Sequence, residues 1–185
     1  TLDYEQRATN PHETREFCVQ AGETDYEFTE RVMREEGFFY GFQHSDKGHR
    51  LIHCDRLWIF GKQPGLPVEY NATPGGDRPG PALQRFTYSE NVRSARQVQR
   101  DYSFKNPKYN QQTRSEATDL DHQGDSYERY DYPGRYKGEA GVAFTRDRLR
   151  GLRGDACQAI AEGDDARLVP GIYFDLIGHP REDLN

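Results

Sequence analysis

Six histidines, three cysteines and 31 acidic residues are the groups in this 185-residue sequence that could hold a metal, attack a bond or move a proton. His44, His49, His53 and Cys54 fall on what reads as one hairpin. On a strand rising ~3.3 Å per residue His49 and His53 stand roughly 13 Å apart, whereas the ligands of one zinc each lie about 2 Å from it. Their spacing suits a helix, so these histidines read as ordinary surface or half-buried side chains, and no metal or cofactor is expected. The carboxylates Glu35-Glu36, Asp119, Asp121, Asp125 and Asp164-Asp165 are adjacent or loop-borne, without the defined pair, one of raised pKa, that a glycosidase needs. Glu35 and Glu36 end a predicted helix at its negative pole, which calls for a nearby arginine. No G-x-S-x-G elbow is present, and Cys157 falls on the apolar side of a predicted helix, where a buried inert thiol is expected. Gly75-Gly76-Asp77-Arg78-Pro79-Gly80 lacks the Lys-Ser/Thr of a phosphate loop, and its prolines remove donor amides. Arg146, Arg150 and Arg153 share one helical face that reads as solvated. These groups make no catalytic constellation, and the sequence points to a binding or structural role rather than an enzyme.

The elements that must carry these residues are mostly strands. Leu2, Tyr4 and Gln6 alternate with polar residues, and Glu16 to Gln20 reads as a second strand with Phe17 and Val19 on one face. Thr24-Asp25-Tyr26-Glu27 has the form of a capping box. It opens a helix over 25–36 with Phe28 and Val32 on one stripe, ended by Gly37. Phe38 to Phe42 and Arg50 to Asp55 form a hairpin around Ser45-Asp46-Lys47-Gly48. Residues 1–60 therefore read as a helix packed on a small antiparallel sheet, with Phe28, Val32, Phe39 and Leu51 or Ile52 as its core. Residues 61–81 hold five prolines and five glycines and read as a linker. Beyond it, Leu83–Glu90 and Gln97–Phe104 read as a strand pair, 105–126 as an exposed loop, and Tyr127–Tyr132 as a strand closed by Pro133-Gly134. Helical spacing over 139–162 is weakened by Gly151 and Gly154. Ile172, Phe174 and Leu176 alternate in a last strand.

The fold class is thus α+β and β-rich, with an α/β module at 1–60, a linker at 61–81 and a β-barrel-like domain with an inserted helix at 82–185. The formal charge of −6 argues against a dedicated nucleic-acid partner. An aromatic share of 12% argues against disorder. The mean hydropathy of −1.06 implies a modest core under much solvated strand and loop. An odd number of cysteines without CxxC predicts three reduced thiols and assembly in a reducing compartment, although Cys18 and Cys54 fall on two strands of one module. With no initiator Met and strand-like sequence at both ends, the chain reads as a piece of a larger protein.

Three segments, taken together, closely resemble the N-terminal hub region of the valine-glycine repeat protein G (VgrG) family, the spike of bacterial type VI secretion. The first is Arg15-Glu16-Phe17-Cys18-Val19-Gln20, followed by Glu23–Phe28 and Glu35-Glu36-Gly37-Phe38-Phe39-Tyr40. The second is Tyr130-Asp131-Tyr132-Pro133-Gly134-Arg135-Tyr136. The third is Pro170-Gly171 with Leu176-Ile177-Gly178-His179-Pro180 and Leu184-Asn185. The matching positions carried over as structural family residues are Phe17, Cys18, Asp25, Phe28, Glu35, Glu36, Gly37, Tyr130, Asp131, Tyr132, Pro133, Gly134, Gly178, His179 and Pro180.

The resemblance implies a phage-tail-hub-like fold and a baseplate role. It implies a homotrimer in the intact protein, which joins the hexameric tube of haemolysin-coregulated protein (Hcp) to a trimeric needle that punctures target membranes. Other baseplate components are implied partners, and membrane contact comes only through the intact spike. It also implies assembly in the cytoplasm and export through type VI secretion. The chain alone is expected to be a monomer or weak oligomer. The competing readings are a cell-wall glycosidase, on its acid-rich loops, and a carbohydrate-binding domain, on its exposed tyrosines.

Overall fold

A computed structural model describes residues 3–15, 17–73, 80–118 and 123–185, the side chains of Trp58 and Ile59 excepted. In chain order the elements are β1 (Asp3–Arg7), α1 (Asp25–Glu35), β2 (Phe39–Ser45), β3 (Gly48–Cys54), a 3-10 turn (Leu57–Phe60), β4 (Val68–Tyr70) and β5 (Ala82–Glu90). They continue with β6 (Arg96–Asp101), β7 (Gln111–Glu116), β8 (Glu128–Asp131), α2 (Ala140–Leu152), β9 (Cys157–Gly163), β10 (Leu176–Ile177) and a second 3-10 turn (Glu182–Leu184). They form two compact units, one from residues 1–9, 40–90 and 157–185 and the other from 10–39 and 91–156. The divisions at 60 and 81 expected from composition run along the chain, whereas these units are assembled across it.

The first unit holds two sheets. One has the order β1-β3-β2, and β1 pairs parallel with β3, Tyr4 opposite Leu51 and Gln6 opposite His53. The expected sheet was antiparallel; the long connection out of β1 lets it return alongside β3 in the same direction. The hairpin turn is as expected: the Lys47 amide donates to Ser45 Oγ at 3.3 Å, and Gly48 takes a φ of +138°. Ile52 and Cys54 are fully buried on the inward face of β3, and burial pushes the Cys54 thiol pKa up.

The second sheet has the order β10-β4-β5-β9. Val68, Leu83 and Leu176 form its core, with Tyr70, Phe86, Leu168 and Phe174 packed around them. Its longest ladder pairs β5 antiparallel with β9, from Leu83–Gly163 to Glu90–Cys157. Two expectations change here. The 61–81 segment contains a strand, β4, because Val68 and Tyr70 alternate into this core; residues 74–79 of that segment lie outside the described residues. The last strand is short, covering only Leu176–Ile177, while Tyr173 makes a lone bridge to Lys62.

In the second unit α1 begins with its capping box intact: the Glu27 amide donates to Thr24 Oγ1 at 3.3 Å, and the Thr24 amide donates to Glu27 Oε2 at 2.8 Å. No α1 residue is fully buried, so Phe28 and Val32 are not the deep core residues expected. A three-stranded sheet, β7-β6-β8, pairs β6 antiparallel with β7 and parallel with β8, and α2 lies against β6 and β7. The expected pairing of 83–90 with 97–104 does not form, since β5 goes to β9 while β6 goes to β7 and β8. Tyr102 and Phe104 lie beyond the end of β6 and are exposed.

The loop expected over 105–126 contains β7, whose inward residues are polar and hydrogen-bonded; residues 119–122 are outside the described set. The expected helix over 139–162 stops at Leu152. Gly151 and Gly154 sit at its break, and the remainder becomes β9, with Cys157 exposed rather than inside a helix. Residues 82–185, read together as one barrel-like domain, therefore divide between two sheets. None of the three cysteines is in a disulfide; Cys18 and Cys157 are exposed and Cys54 is buried.

Candidate docking surface

Twelve of the fifteen family-motif positions fall before residue 135, all of them in the second unit. In that unit α1 finishes with Glu35, and Glu36 caps it. Two carboxylates at the negative end of a helix repel the last carbonyls. Arg15 answers both: its Nη1 donates to Glu35 Oε2 at 2.6 Å and its Nη2 to Glu36 Oε1 at 2.5 Å. The anticipated arginine partner is therefore present. Burial opposes the Arg15 charge, but its hydrogen bonds to the Glu35 and Glu36 carboxylates outweigh it and raise its pKa. His12 Nδ1 lies 3.1 Å from Glu36 Oε2, and its ring packs 4.4 Å from that of Phe38. On the other side Arg31 bridges Glu23 at 2.6 Å and Glu35 at 3.3 Å. Its hydrogen bond holds the Glu23 carboxyl below its ordinary range.

Gly37 follows with a φ of +74°, and a Cβ there would stand 3.1 Å from Asp147 Cγ. Asp147 is itself paired with Arg146 at 2.9 Å and Arg150 at 3.5 Å, so the arginine face expected to be solvated is partly neutralised. Replacing Gly37 with alanine is expected to lower unfolding stability by about 1–2 kcal/mol, the cost of a left-handed backbone with a Cβ. A urea midpoint that does not fall would contradict this.

The second motif supplies the facing turn. Tyr130 and Asp131 end β8, and the Tyr132–Pro133 bond is cis. Asp131 accepts from Gln97 Nε2 at 3.0 Å, from Arg129 at 3.2 Å and from Arg148 at 3.4 Å. The Gly134 amide donates to Arg100 O at 2.9 Å, and the Arg135 amide donates to Asp101 Oδ2 at 2.6 Å. Arg135 takes a φ of +60° and reaches back to Glu35 at 3.7 Å. A groove of about 640 Å³ runs between α1 and this turn, lined by four acids and four arginines together with Tyr26, Tyr132 and Phe144. Asp25 accepts from Gln20 Nε2 at 2.9 Å and Phe28 is half-buried under Arg31, 5.4 Å from ring to guanidinium. Phe17 and Cys18, expected on a strand, lie outside the described strands and are exposed; Phe17 is 77% exposed, and among the described residues no strand pairs with that segment. Glu16 is outside the described residues.

The third motif lies in the first unit. Gly178 has a φ of +79° and passes 3.1 Å, by its missing Cβ, from Tyr70 O. His179 packs against Tyr70 and Phe86 with ring centroids 4.8 and 5.0 Å away. Its amide donates to Asn185 Oδ1 at 2.8 Å, and Asn185 Nδ2 donates back to His179 O at 2.9 Å. Pro180 leads to Arg181, which pairs with Asp183 at 2.6 Å and lies over Tyr88 at 4.9 Å. The motif residues thus fall at two places, the first two segments in the second unit and the third in the first.

The residues that spacing alone did not single out are Arg15, Arg31 and Tyr136. The first two are visible only once the helix end and its flanking segment are adjacent. Among the described residues no group of three or more histidine, cysteine or acidic side chains could hold a metal. Asp164 and Asp165, read as loop acids, are structural: Asp164 accepts from the Ala82 amide at 2.8 Å, and the Arg167 hydrogen bond holds Asp165 below the usual carboxylate range. Asp119 and Asp121 lie outside the described residues. No described helix is long and apolar enough to cross a membrane.

The phage tail baseplate hub (GPD) family model matches residues 1–185. The chain is 54% identical over 185 residues to the type VI secretion system spike protein VgrG2b of Pseudomonas aeruginosa, covering all of this chain and 18% of that protein. It is 53% identical to VgrG2a of the same organism, covering 22% of it. It is 38% identical over 172 residues to the actin cross-linking toxin VgrG1 of Vibrio cholerae, covering 92% of this chain and 16% of the toxin. The chain therefore spans about a fifth of the length of the curated relatives it matches.

Proposed function

Because the chain belongs to the phage tail baseplate hub family, we propose that it is the hub segment of a type VI secretion spike, a structural part without catalytic activity. The observation that carries this reading is the match of the hub family model along the whole of residues 1–185. In the intact protein the hub is a homotrimer that seats on the Hcp tube and other baseplate components and hands the load to a trimeric needle. The assembly forms in the cytoplasm and leaves through the secretion system, so membranes are met by the spike as a whole. The two motif centres support a rigid load-bearing part: Arg15 ties the end of α1 to its flanking segment, and Asn185 ties the chain around His179. The state of the acids also favours structure over hydrolysis. Arg93 and Arg167 hold Asp155 and Asp165 below the ordinary carboxylate range, the opposite of a general acid.

The test is made on the full-length parent in a host whose secretion depends on that one spike. Deleting residues 1–185 is expected to abolish release of Hcp into the medium, and the intact parent is expected to scatter light as three copies. Undiminished Hcp release, or peptidoglycan hydrolysis by the chain, would sink the reading.

A further inference from the structure

The groove between α1 and the proline turn lies wholly within the second unit, and its four acids and four arginines balance in number but not in how they are shared. Glu35 is already held by Arg15 at 2.6 Å and by Arg31 at 3.3 Å, so Arg135 reaches it only third, at 3.7 Å. Asp131 is likewise taken by Gln97 at 3.0 Å and Arg129 at 3.2 Å before Arg148 approaches at 3.4 Å. Neither late contact has the ~2.7–2.9 Å length of a charge-assisted hydrogen bond, and both guanidinium side chains stay open to water, 68% and 51% exposed. Glu27, by contrast, accepts from the Thr24 amide and hydroxyl at 2.8 and 3.0 Å, at the far end of α1. At ~1.5 Å per residue it stands ~12 Å from Glu35 along the helix axis, beyond the ~8 Å screening length of physiological salt. The side of the groove formed by the proline turn is therefore cationic.

Two residues mark that side as a place for a ligand. Gln99 is only 7% exposed, and its Oε1 accepts from Thr145 Oγ1 at 3.0 Å. Its Nε2 has no acceptor among the described residues, although the side chain lines the groove. A buried amide donor without an acceptor is costly, and one that lines a groove is satisfied by an acceptor that enters it. Arg135 is alone among the described non-glycine residues in having a positive φ, +60°, a backbone that a Cβ disfavours. The Asp101 carboxylate fixes it there by accepting its amide at 2.6 Å. Backbone strain of this kind clusters at ligand clamps, and here it sets a guanidinium beside the groove.

We propose that this side of the groove binds the carboxylate of an acidic side chain presented by a partner protein. Arg135 and Arg148 supply fork-shaped donors that match a planar carboxylate, and Gln99 Nε2 supplies a neutral one. All three line a single groove of about 640 Å³, a size ordinary for one ligand site. A carboxylate has two oxygens with about four lone-pair sites, enough for all three donors. A phosphate monoester offers similar oxygens but carries about −1.5 to −2 charge, and Glu35 and Asp131 stand in the same groove to repel the excess. Tyr26 and Tyr132 border the site and are exposed. Tyrosine and arginine together are the composition of protein interfaces, which selects a polypeptide over a free anion or a sugar acid. That the acid comes from a protein rests on the role proposed above, a part built into an assembly.

Heteronuclear NMR of the 185-residue chain in low salt, titrated with the blocked peptide acetyl-Ala-Glu-Ala-amide, tests the proposal. The Gln99 side-chain amide and the Arg135 and Arg148 Nε–H signals are expected to shift together and to saturate with a Kd of about 1 mM, the strength of a few polar contacts. The neutral match, acetyl-Ala-Gln-Ala-amide, should bind roughly tenfold more weakly, the loss of about one charge-assisted hydrogen bond. Arg148→Gln and Arg135→Gly should each weaken the acidic peptide by roughly fivefold to tenfold. Glycine accepts the left-handed backbone at 135, so its loss of binding is not a loss of folding. Arg85→Gln, at an exposed ion pair on β5 in the first unit, should leave binding unchanged. The phosphoserine peptide and free glucuronate should both bind more weakly than the glutamate peptide. Equal binding of the glutamate and glutamine peptides, tighter binding of phosphoserine or glucuronate, no saturation up to about 20 mM, or full binding by a chain carrying both Arg135→Gly and Arg148→Gln overturns it. Hcp release by the parent is a separate readout: release lost on deletion of 1–185 while the peptide fails to bind removes the groove and leaves the hub role standing.

Discussion

Replacing Tyr136 with alanine is expected to lower unfolding stability by about 4 kcal/mol, the cost of deleting a buried ring. The ring is 5% exposed. Its hydroxyl lies 2.8 Å from Gln99 O on β6 and 2.7 Å from Gln111 O on β7, with Thr113 Oγ1 at 3.1 Å. Thr113 in turn contacts Thr145 Oγ1 at 2.5 Å, and Thr145 donates to Gln99 Oε1 at 3.0 Å. Removing the side chain leaves a cavity and strips a buried network of one member. Tyr136→Phe isolates the second effect, expected at about 1–3 kcal/mol for buried polar groups left unsatisfied. Burial also raises the phenol pKa, with the Thr113 hydrogen bond acting against it. A raised folded-state pKa means this contribution is complete below the unfolded phenol's pKa of ~10. It is lost as pH rises above that value. Urea titrations of the three chains, repeated at alkaline pH, measure these quantities. An alanine variant within about 1 kcal/mol of the parent would show that the ring is not the keystone of the second unit.

Gly163→Ala is expected to cost about 3 kcal/mol, at the upper end of the usual overpacking penalty. A Cβ at this position would lie 2.4 Å from Ala82 O and 2.8 Å from Leu83 Cα, both backbone atoms. No rotamer change relieves a clash with backbone, so the β5–β9 ladder must part where Leu83 enters the core. The same stretch is clamped by Asp164, whose amide donates to Ala82 O at 3.2 Å and whose carboxylate accepts from the Ala82 amide at 2.8 Å. Thermal unfolding followed by circular dichroism should show the loss. A midpoint equal to that of the parent would mean the strands separate at no cost.

How far the sequence was legible follows from where its signals came from. The start and stop of α1 are local chemistry, Thr24 and Glu27 at one end and Gly37 at the other, and both stand as read. The β2–β3 hairpin is equally local. Strand β7 was invisible because its inward residues are Gln111 and Thr113, whose burial is supported by Tyr136, Thr145 and Gly138 rather than by hydrophobicity. Phe17 and Val19 alternate like a strand yet are exposed, since alternation reports an extended chain but not a neighbour to pair with. Cys157 to Gly163 carries alanines and an isoleucine that suit helix and strand alike, and only the pairing with β5 decides. In the proline turn the motif was recognisable while its reason was not. Gly134 is required because a Cβ would stand 2.3 Å from the Tyr136 ring, a contact between residues that no periodicity connects.

The interleaving of the two units has a consequence for how a ribosome delivers this chain. The second unit is complete once residue 156 has emerged, but the first must wait for 157–185. Strand β5 is made with Ala82 and Leu83 ready for a partner, and β9 follows only after about 66 further residues, some 3–13 s at ordinary elongation rates. For that interval an apolar strand edge stands open in the nascent chain while the intervening segment folds. Translation pauses after Glu90 lengthen the exposure, so synonymous codon choice across 91–156 becomes a lever on soluble yield that leaves every residue unchanged.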